Sequence, residues 1–100
     1  MLVKIFIKRR FKTGKVKEIS ALLRDFRSGA MTQAGYVSCE TLVSYDDPQN
    51  VMVIGTWQDM ESWEAWKGNQ RRIDFEAMLE VYQEGPTQYE AYVLGTPPQP

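Results

Sequence analysis

Three tryptophans crowded into one short segment are the first indication of what this chain could bind. Trp57, Trp63 and Trp66 all lie in TWQDMESWEAWKGN, residues 56–69. An indole ring is a flat apolar surface on which an aromatic ligand can stack, a contact worth about 0.5–1.5 kcal/mol beyond area burial. Trp63 and Trp66 are three residues apart and share roughly one side of a helix. The cluster predicts either a packed core or a pocket wall: we expect Trp66 to line a pocket, and Trp57 and Trp63 to pack.

The residue types that carry out most acid–base and metal chemistry are scarce. The chain has no histidine, which excludes Ser-His-Asp and Cys-His nucleophile systems and removes the commonest metal and haem ligand. Its single cysteine, Cys39, excludes zinc–cysteine and iron–sulfur sites built within one chain. The seven glycines are scattered and form no phosphate-binding loop. We therefore expect no cofactor: no metal, no flavin and no haem.

Length and charge restrict the class of protein further. One hundred residues with 43% hydrophobic content predict one globular domain, residues 1–95, and a disordered tail, residues 96–100. The net charge of −1 gives no general attraction to nucleic acid, and the basic run KRRFK at residues 8–12 is interpreted as a solvated strand end. No apolar run reaches the ~18 residues of a membrane span. Without a signal-peptide pattern, the sequence predicts a cytoplasmic protein that binds neither nucleic acid nor membrane.

The first half of the chain has the pattern of a strand followed by a helix. In LVKIFIKR, Val3, Ile5 and Ile7 point to one face of a strand, and Leu2 and Phe6 point to the other. Apolar residues on both faces are typical of a central strand. The stripe of an amphipathic helix follows at three- and four-residue steps: Val16, Ile19, Leu23, Phe26 and Ala30.

The second half predicts a hairpin, two helical segments and a last strand. YVSCETLVSY alternates, with Val37 and Cys39 on one face, and the turn DDPQN joins it to the β-branched run VMVIGTW. Asp59 is a favourable N-cap for a short helix that carries two of the tryptophans and breaks near Gly68. QYEAYVL forms the last strand. Before it, a helical stretch has four residues at i, i+3, i+4 and i+7: Phe75, Met78, Leu79 and Tyr82.

The order β-α-β-β-α-β predicts an α+β, ferredoxin-like fold with one antiparallel sheet and its helices on one face. The first and third strands are then central. The second face of the sheet is left uncovered, with Phe6, alternate residues of VMVIGTW and tyrosines of the last strand on it. A patch of several large apolar side chains rarely stays in water. We therefore expect a homodimer in which two copies pack sheet against sheet.

Several motifs of the chain resemble the antibiotic biosynthesis monooxygenase family. They are Gly35-Tyr36-Val37-Ser38, Glu40-Thr41-Leu42, Asp46-Asp47-Pro48, Thr56-Trp57 and Glu64-Ala65-Trp66. The similarity covers nearly the whole chain. It implies a dimeric α+β barrel, in agreement with the uncovered sheet face, and a ligand cavity in each subunit between the sheet and the helices.

The resemblance allows the haem-degrading branch of the family to be tested residue by residue. That branch has a tryptophan on the short helix, a haem-ligating histidine about ten positions later and an asparagine on the first strand. Trp66 matches the tryptophan, but the histidine position falls on or near Glu76, and the first strand offers Ile7 or Lys8 for the asparagine. Two of the three residues are absent, so we reject haem degradation.

The cofactor-free oxygenase branch requires less of the protein. Its substrates are electron-rich quinols or polyphenols, whose anions can pass an electron to dioxygen without a metal or flavin. The antibiotic-pathway members carry an asparagine one turn before the tryptophan, and here that position is Ser62, whose hydroxyl can still donate a hydrogen bond. Glu40 is interpreted as a solvated or dimer-edge carboxylate rather than a general base. The residues expected to contact substrate are Trp66, Ser62, Tyr36, Phe75, Met78 and Tyr82.

Two functions remain open on the sequence. The first is a cofactor-independent monooxygenase that acts on a quinol-like or polyphenolic aromatic, with its catalytic residues unknown. The alternative is a non-catalytic small-molecule-binding or stress-related barrel that has kept the fold and the cavity without the chemistry. In either case the expected partners are a small aromatic ligand and a second copy of the chain.

Overall fold

The computed structural model describes residues 1–95, and the tail expected at residues 96–100 lies outside this part of the chain. The helical segment after the third strand divides in two, as the pattern predicted. The elements are β1 (Val3–Arg10), α1 (Val16–Met31), β2 (Tyr36–Val43), β3 (Asn50–Trp57), α2 (Met60–Lys67), α3 (Gln70–Glu80) and β4 (Gln88–Val93).

The four strands form one antiparallel sheet in the order β2-β3-β1-β4. β1 pairs along its whole length with β3, from Val3 opposite Trp57 to Arg10 opposite Asn50, and on its other side with β4. The prediction that the first and third strands are central is confirmed. The α+β ferredoxin-like fold expected from the element order is therefore the observed fold.

The helices cover one face of this sheet, which we call the covered face. Strand registry assigns to it six residues that pack in or against the core: Val3, Ile5, Ile7, Val53, Trp57 and Tyr89. The opposite face, which we call the outer face, carries none of the helices found in residues 1–95. Its large apolar residues include Phe6, Leu42, Met52, Ile54 and Tyr92. Of the two tyrosines expected on the uncovered side, only Tyr92 lies there, because the odd–even alternation of β4 turns Tyr89 toward the helices.

The amphipathic stripe of α1 packs on the covered face through Ile19, Leu23, Phe26 and Ala30. Val16, which the pattern included in this stripe, is 74% exposed. It is the first residue of the helix, and side chains of a helix tilt toward its N-terminus. The Val16 side chain therefore points beyond the helix end instead of onto the sheet.

Side-chain caps fix where the two later helices begin. The Asp59 carboxylate accepts a hydrogen bond from the Ser62 backbone N–H at 2.8 Å, so the predicted N-cap of α2 is confirmed. The Asn69 side chain does the same for α3, accepting from the Arg71 backbone N–H at 2.9 Å. Each cap satisfies a backbone N–H at the start of its helix that has no partner within the helix. Within residues 1–95, none of the helices has the length and apolar character needed to cross a membrane.

The buried side of α3 differs from the one that its apolar residues predicted. Phe75 and Leu79 pack in or against the core, but Met78 is 47% exposed. The buried residues on this helix include Arg72, four positions before Glu76, whose side chain is only 12% exposed. The helix is thus rotated so that a charged stripe, rather than Met78, faces the sheet.

Candidate functional site

A cavity of about 50 Å³ lies between the covered face of the sheet and the helices. The sheet contributes small and branched side chains and two aromatic rings, and the helices contribute the other rings. Three groups of residues line it: Ile7, Cys39, Thr41, Val53 and Gly55 from the sheet; Leu23, Phe26 and Ala30 from α1; and the aromatic residues Tyr36, Trp57, Trp63 and Trp66. The guanidinium-bearing residues Arg9, Arg27 and Arg72 complete the lining.

All three tryptophans line this cavity, and each is at least 95% buried. The ring centroids of Trp57 and Trp63 are 6.2 Å apart, and Trp66 meets Phe26 edge-to-face at 6.3 Å. The pocket-lining position expected of Trp66 is the observed one. Trp57 and Trp63 pack in the core as expected, but they also form part of the cavity wall, so core and pocket are one cluster here.

Two glycines make room for the indole rings. A Cβ atom at Gly29, inside α1, would lie 3.2 Å from the outermost ring carbon of Trp66. At Gly55, in the cavity wall, it would lie 3.3 Å from Trp57 Nε1. A glycine inside a helix costs about 1 kcal/mol relative to alanine. The close approach of Trp66 is the physical reason for accepting this cost at Gly29.

A β-bulge brings Tyr36 to the cavity. Tyr36 lies opposite Trp57, whereas Ser38 lies opposite the adjacent Thr56, so Val37 is an extra residue in β2. Simple alternation would separate Tyr36 from Cys39, but the extra residue places both on the covered face. The Tyr36 ring meets Trp57 edge-to-face at 5.7 Å.

The other residues expected to contact substrate lie elsewhere. Ser62 packs against Gly35, where a Cβ atom would lie only 2.1 Å from the serine Oγ, so it does not line the cavity. Phe75 is stacked on the far side of Phe26 at 5.3 Å and supports the wall from behind. Met78 and Tyr82 lie in a separate shallow groove that also includes Leu22 and Val81. The rotation of α3 explains this separation, because it turns Met78 away from the sheet.

A buried ion pair that the sequence did not predict closes one side of the site. Arg9, at the end of the apolar alternation of β1, donates two hydrogen bonds to Glu76, at 3.3 Å from Nε and 2.7 Å from Nη2. The Thr87 hydroxyl donates to the same carboxylate. Burial by itself raises the pKa of Glu76, but these hydrogen bonds and the nearby charge of Arg72 outweigh it and lower the pKa below its ordinary value. Glu76 is thus an ionised partner of two arginines.

Arg72 is the second buried cation, and aromatic rings surround it. Its guanidinium carbon lies 5.0 Å from the ring centre of Trp63, 5.2 Å from Phe26 and 5.4 Å from Tyr89. Nη2 donates to the Tyr89 hydroxyl at 3.1 Å and lies 3.8 Å from Glu76. Nε is buried and has no hydrogen-bond partner in the part of the chain that the structure describes. An arginine four residues before a glutamate is an ordinary surface pattern, so no local pattern indicates that this one is buried.

Two groups that could exchange a proton also line the cavity. Burial raises the pKa of the Cys39 thiol. Burial also raises the pKa of the Tyr36 hydroxyl, and the nearby Cys39 adds a smaller contribution. Both groups are therefore protonated at neutral pH. Among residues 1–95, no cluster of three or more His, Cys, Asp or Glu side chains is arranged to hold a metal ion.

Solved structures share this architecture at low sequence identity. A conserved protein from Methanosarcina mazei Go1 superimposes with a TM-score of 0.86 at 15% identity, covering 92% of this chain and 91% of that one. SnoaB, a cofactor-independent oxygenase from Streptomyces nogalater, has a TM-score of 0.84 at 11% identity, covering 96% and 95%. Rv0793 from Mycobacterium tuberculosis has the same TM-score and identity, covering 99% and 100%. At these identities the likeness shows the fold alone.

Sequence comparison assigns the family. No curated protein matches the chain. The family model described as antibiotic biosynthesis monooxygenase matches residues 2–78, which include β1 through α2 and most of α3. The matched segment contains every tryptophan, the bulge at Val37 and the buried residues Arg9, Arg72 and Glu76. The chain therefore belongs to the antibiotic biosynthesis monooxygenase family.

Proposed function

We propose that this protein is a cofactor-independent monooxygenase that acts on a quinol-like or polyphenolic aromatic substrate. The observation that carries the proposal is the cavity itself, in which Trp57, Trp63, Trp66 and Tyr36 form aromatic walls next to buried guanidinium groups. Aromatic walls favour a flat, apolar ligand, and a neighbouring positive charge favours its ionised, electron-rich form. The family to which the chain belongs and the fold that it shares with SnoaB support the same reaction class.

For this reaction the protein must bind the substrate, orient its ring and stabilise its anion. A quinol that has lost a proton can pass an electron to dioxygen. One oxygen atom then enters the substrate and the other leaves as water. The substrate supplies all the electrons, so the balance needs no outside reductant. In this scheme Trp66 orients the ring, and the net positive charge of the buried guanidinium groups favours the anion.

The size of the cavity requires movement for a substrate to bind. An apolar cavity that holds benzene measures about 150 Å³, whereas this one measures about 50 Å³. Arg27 and Thr41 are the exposed members of the lining, and Arg27 carries the longer, flexible side chain. We place the access route at Arg27, which can swing outward without disturbing the buried pair of Arg9 and Glu76.

Oxygen uptake tests the proposal directly. Reduced naphthoquinones and anthrones should be consumed with dioxygen faster than they autoxidise in buffer containing a metal chelator. Trp66→Phe should lower the rate several-fold, since a stacking contact of about 1 kcal/mol is lost. Tyr45→Phe is the matched control, because Tyr45 is an aromatic residue that is 98% exposed. No uptake above background with any of these compounds would contradict the proposal.

A non-catalytic binding protein is the second candidate, and one observation favours it. The two proton-exchanging groups in the cavity wall, Cys39 and Tyr36, have raised pKa values and are poor general bases at neutral pH. A protein of this kind would bind the same compounds without consuming dioxygen. Binding measured under nitrogen, together with uptake measured in air, separates the two candidates.

We further propose that the chain forms a homodimer through the outer face. Phe6 and Tyr92 meet edge-to-face at 5.2 Å, with Met52 and Ile54 beside them, and no helix covers this patch. A second sheet packed on it would remove these side chains from water. Sedimentation at micromolar concentration should give about twice the mass of one chain, and a clean monomer would contradict the model.

The single free cysteine, Cys39, fits the reducing cytoplasm, where we place the protein.

A further inference from the structure

The buried charges around the cavity do not balance. Arg9 and Arg72 are 5% and 3% exposed, and among residues 1–95 Glu76 is the carboxylate within ion-pair distance of both. Two guanidinium groups, each always protonated, therefore share one carboxylate, and this trio retains one net positive charge. Removing a charge from water is costly unless the charge is paired. Binding an anion would therefore stabilise the unbalanced buried cation.

The hydrogen bonds show which arginine has capacity to spare. Arg9 forms a two-point pair with Glu76, with its shorter contact at 2.7 Å. Arg72 lies 3.8 Å from the same carboxylate, beyond hydrogen-bond distance, and its Nε is buried with no partner. Arg72 also lines the cavity. The unused donor therefore belongs to a buried group that borders on empty space.

The surroundings of Arg72 indicate what kind of anion fits. The guanidinium lies within 5.4 Å of the ring centres of Trp63, Phe26 and Tyr89. Two of these rings, Trp63 and Phe26, line the cavity together with Trp66. A small hydrated anion would lose its water against such walls without compensation, whereas an aromatic anion places its ring on them and its oxygen on the donor.

We propose that Arg72 is the anion-binding residue of the cavity, and that the ligand is an aromatic carrying one negative charge on an oxygen attached to or next to its ring. This assignment rests on the proposed function. It specifies that the quinol-like substrate binds as an anion and that its charged oxygen contacts Arg72. It also extends that function, since it selects phenolates and aromatic carboxylates over neutral aromatics of the same shape. Arg9 engages Glu76 through two hydrogen bonds and so leaves Arg72 only partly neutralised within the protein.

Benzoate and benzamide test this inference, since they have nearly the same shape and differ in charge. The readout is the indole N–H signals of Trp57, Trp63 and Trp66 in a two-dimensional NMR spectrum, because all three rings line the cavity. We expect benzoate to shift these signals and to bind about tenfold more tightly than benzamide, the ratio typical of one charge-assisted hydrogen bond. Acetate at the same concentrations should leave them unmoved.

Variants of two adjacent arginines supply the control. Arg72→Met should reduce the preference for benzoate to less than about threefold, since it removes the donor and keeps similar bulk. Arg71→Met removes the same charge from the same helix at an exposed position that does not line the cavity, and it should keep the preference. Arg72→Lys retains the charge without Nε and should give an intermediate ratio, which serves if Arg72→Met fails to fold.

Four results would overturn the inference: equal affinity for benzoate and benzamide in the unmodified protein, no shift with either, equal shifts with acetate, or equal loss of preference in Arg71→Met. None of these ligands reacts with dioxygen. Failure to find oxygen uptake would therefore leave a positive binding result standing, and absence of the charge preference would leave an oxygenase activity intact.

Discussion

Neighbouring residues of β1 belong to two very different surfaces. Ile5 is 1% exposed on the covered face, while Phe6 next to it lies on the outer face against Tyr92. Arg9 forms a buried ion pair, while Lys8 next to it forms an exposed one. The two faces of one strand thus offer a matched pair of apolar residues and a matched pair of cations in the same local structure.

Distance alone does not distinguish the two ion pairs. Arg9 and Glu76 approach to 2.7 Å, and Lys8 and Glu90 approach to 2.6 Å. Exposure distinguishes them: the inner side chains are 2% and 12% exposed, and the outer ones are 49% and 42% exposed. Removing one partner of a buried pair leaves a charge without water, whereas water replaces the lost partner of an exposed pair. The same contact is therefore essential on one face and dispensable on the other.

The largest expected effect is that of Glu76→Gln. It leaves Arg9 and Arg72 buried without a counter-charge and should lower the free energy of unfolding by about 4 kcal/mol, in the range for breaking a buried pair. Urea denaturation monitored by tryptophan fluorescence measures the change. Glu90→Gln is the control on the outer face and should leave the urea midpoint unchanged. Equal shifts in the two variants would show that the faces do not differ in this respect.

The second comparison replaces the apolar neighbours. Ile5→Ala should lower the free energy of unfolding by about 3 kcal/mol, because it leaves a cavity in a packed core. Phe6→Ala should cost less within one chain, but it should weaken the proposed dimer. Denaturation at several protein concentrations separates these effects, since only dimer dissociation depends on concentration. If Phe6→Ala left the sedimentation behaviour unchanged, Phe6 would have no part in the association.

The pH dependence of stability provides a third, smaller test. The folded-state pKa of Glu76 is lowered from 4.5, so its contribution to stability is present above pH 4.5 and is lost as pH falls through the folded value. The Lys8 ammonium likewise lowers the pKa of exposed Glu90. Salt should screen the contribution of exposed Glu90 to stability and have little effect on that of buried Glu76. We therefore measure the free energy of unfolding against pH in ~0.5 M salt. Its decrease at acidic pH should persist in Glu90→Gln and become smaller in Glu76→Gln.

The smallest effect concerns the fit of Trp66 against Gly29. Gly29→Ala gains helix propensity but places a methyl group 3.2 Å from the Trp66 ring, so its net change should stay within about 1 kcal/mol. Trp66→Phe removes the contacting ring carbon and should cost about 1 kcal/mol through the void that it leaves. In the double variant the methyl group occupies part of this void. A double-mutant cycle should therefore show a favourable coupling of about 0.5–1 kcal/mol, and strict additivity would contradict the contact.

Local patterns were sufficient for most of the fold. Alternation along β1, the stripe of α1 and the cap at Asp59 each depend on residues close together in the chain, and the structure has all three. Element order then determined which strands are central. The aromatic pocket at Trp66 was also foreseeable, because large rings at helical spacing must lie against the sheet that the helix covers.

The rest of the site depends on contacts between residues that are far apart in the sequence. Arg9 and Glu76 are 67 positions apart, and no local pattern indicates that two charges so distant will neutralise each other. Once they do, a charged side of α3 can be buried, and the apolar residue Met78 is left outside. The bulge at Val37 likewise changes which face Tyr36 occupies without any mark in the sequence. Residue spacing along the chain sets which residues share a face of each element. Which faces meet, and which charges balance there, depends on contacts that form only when the whole chain has folded.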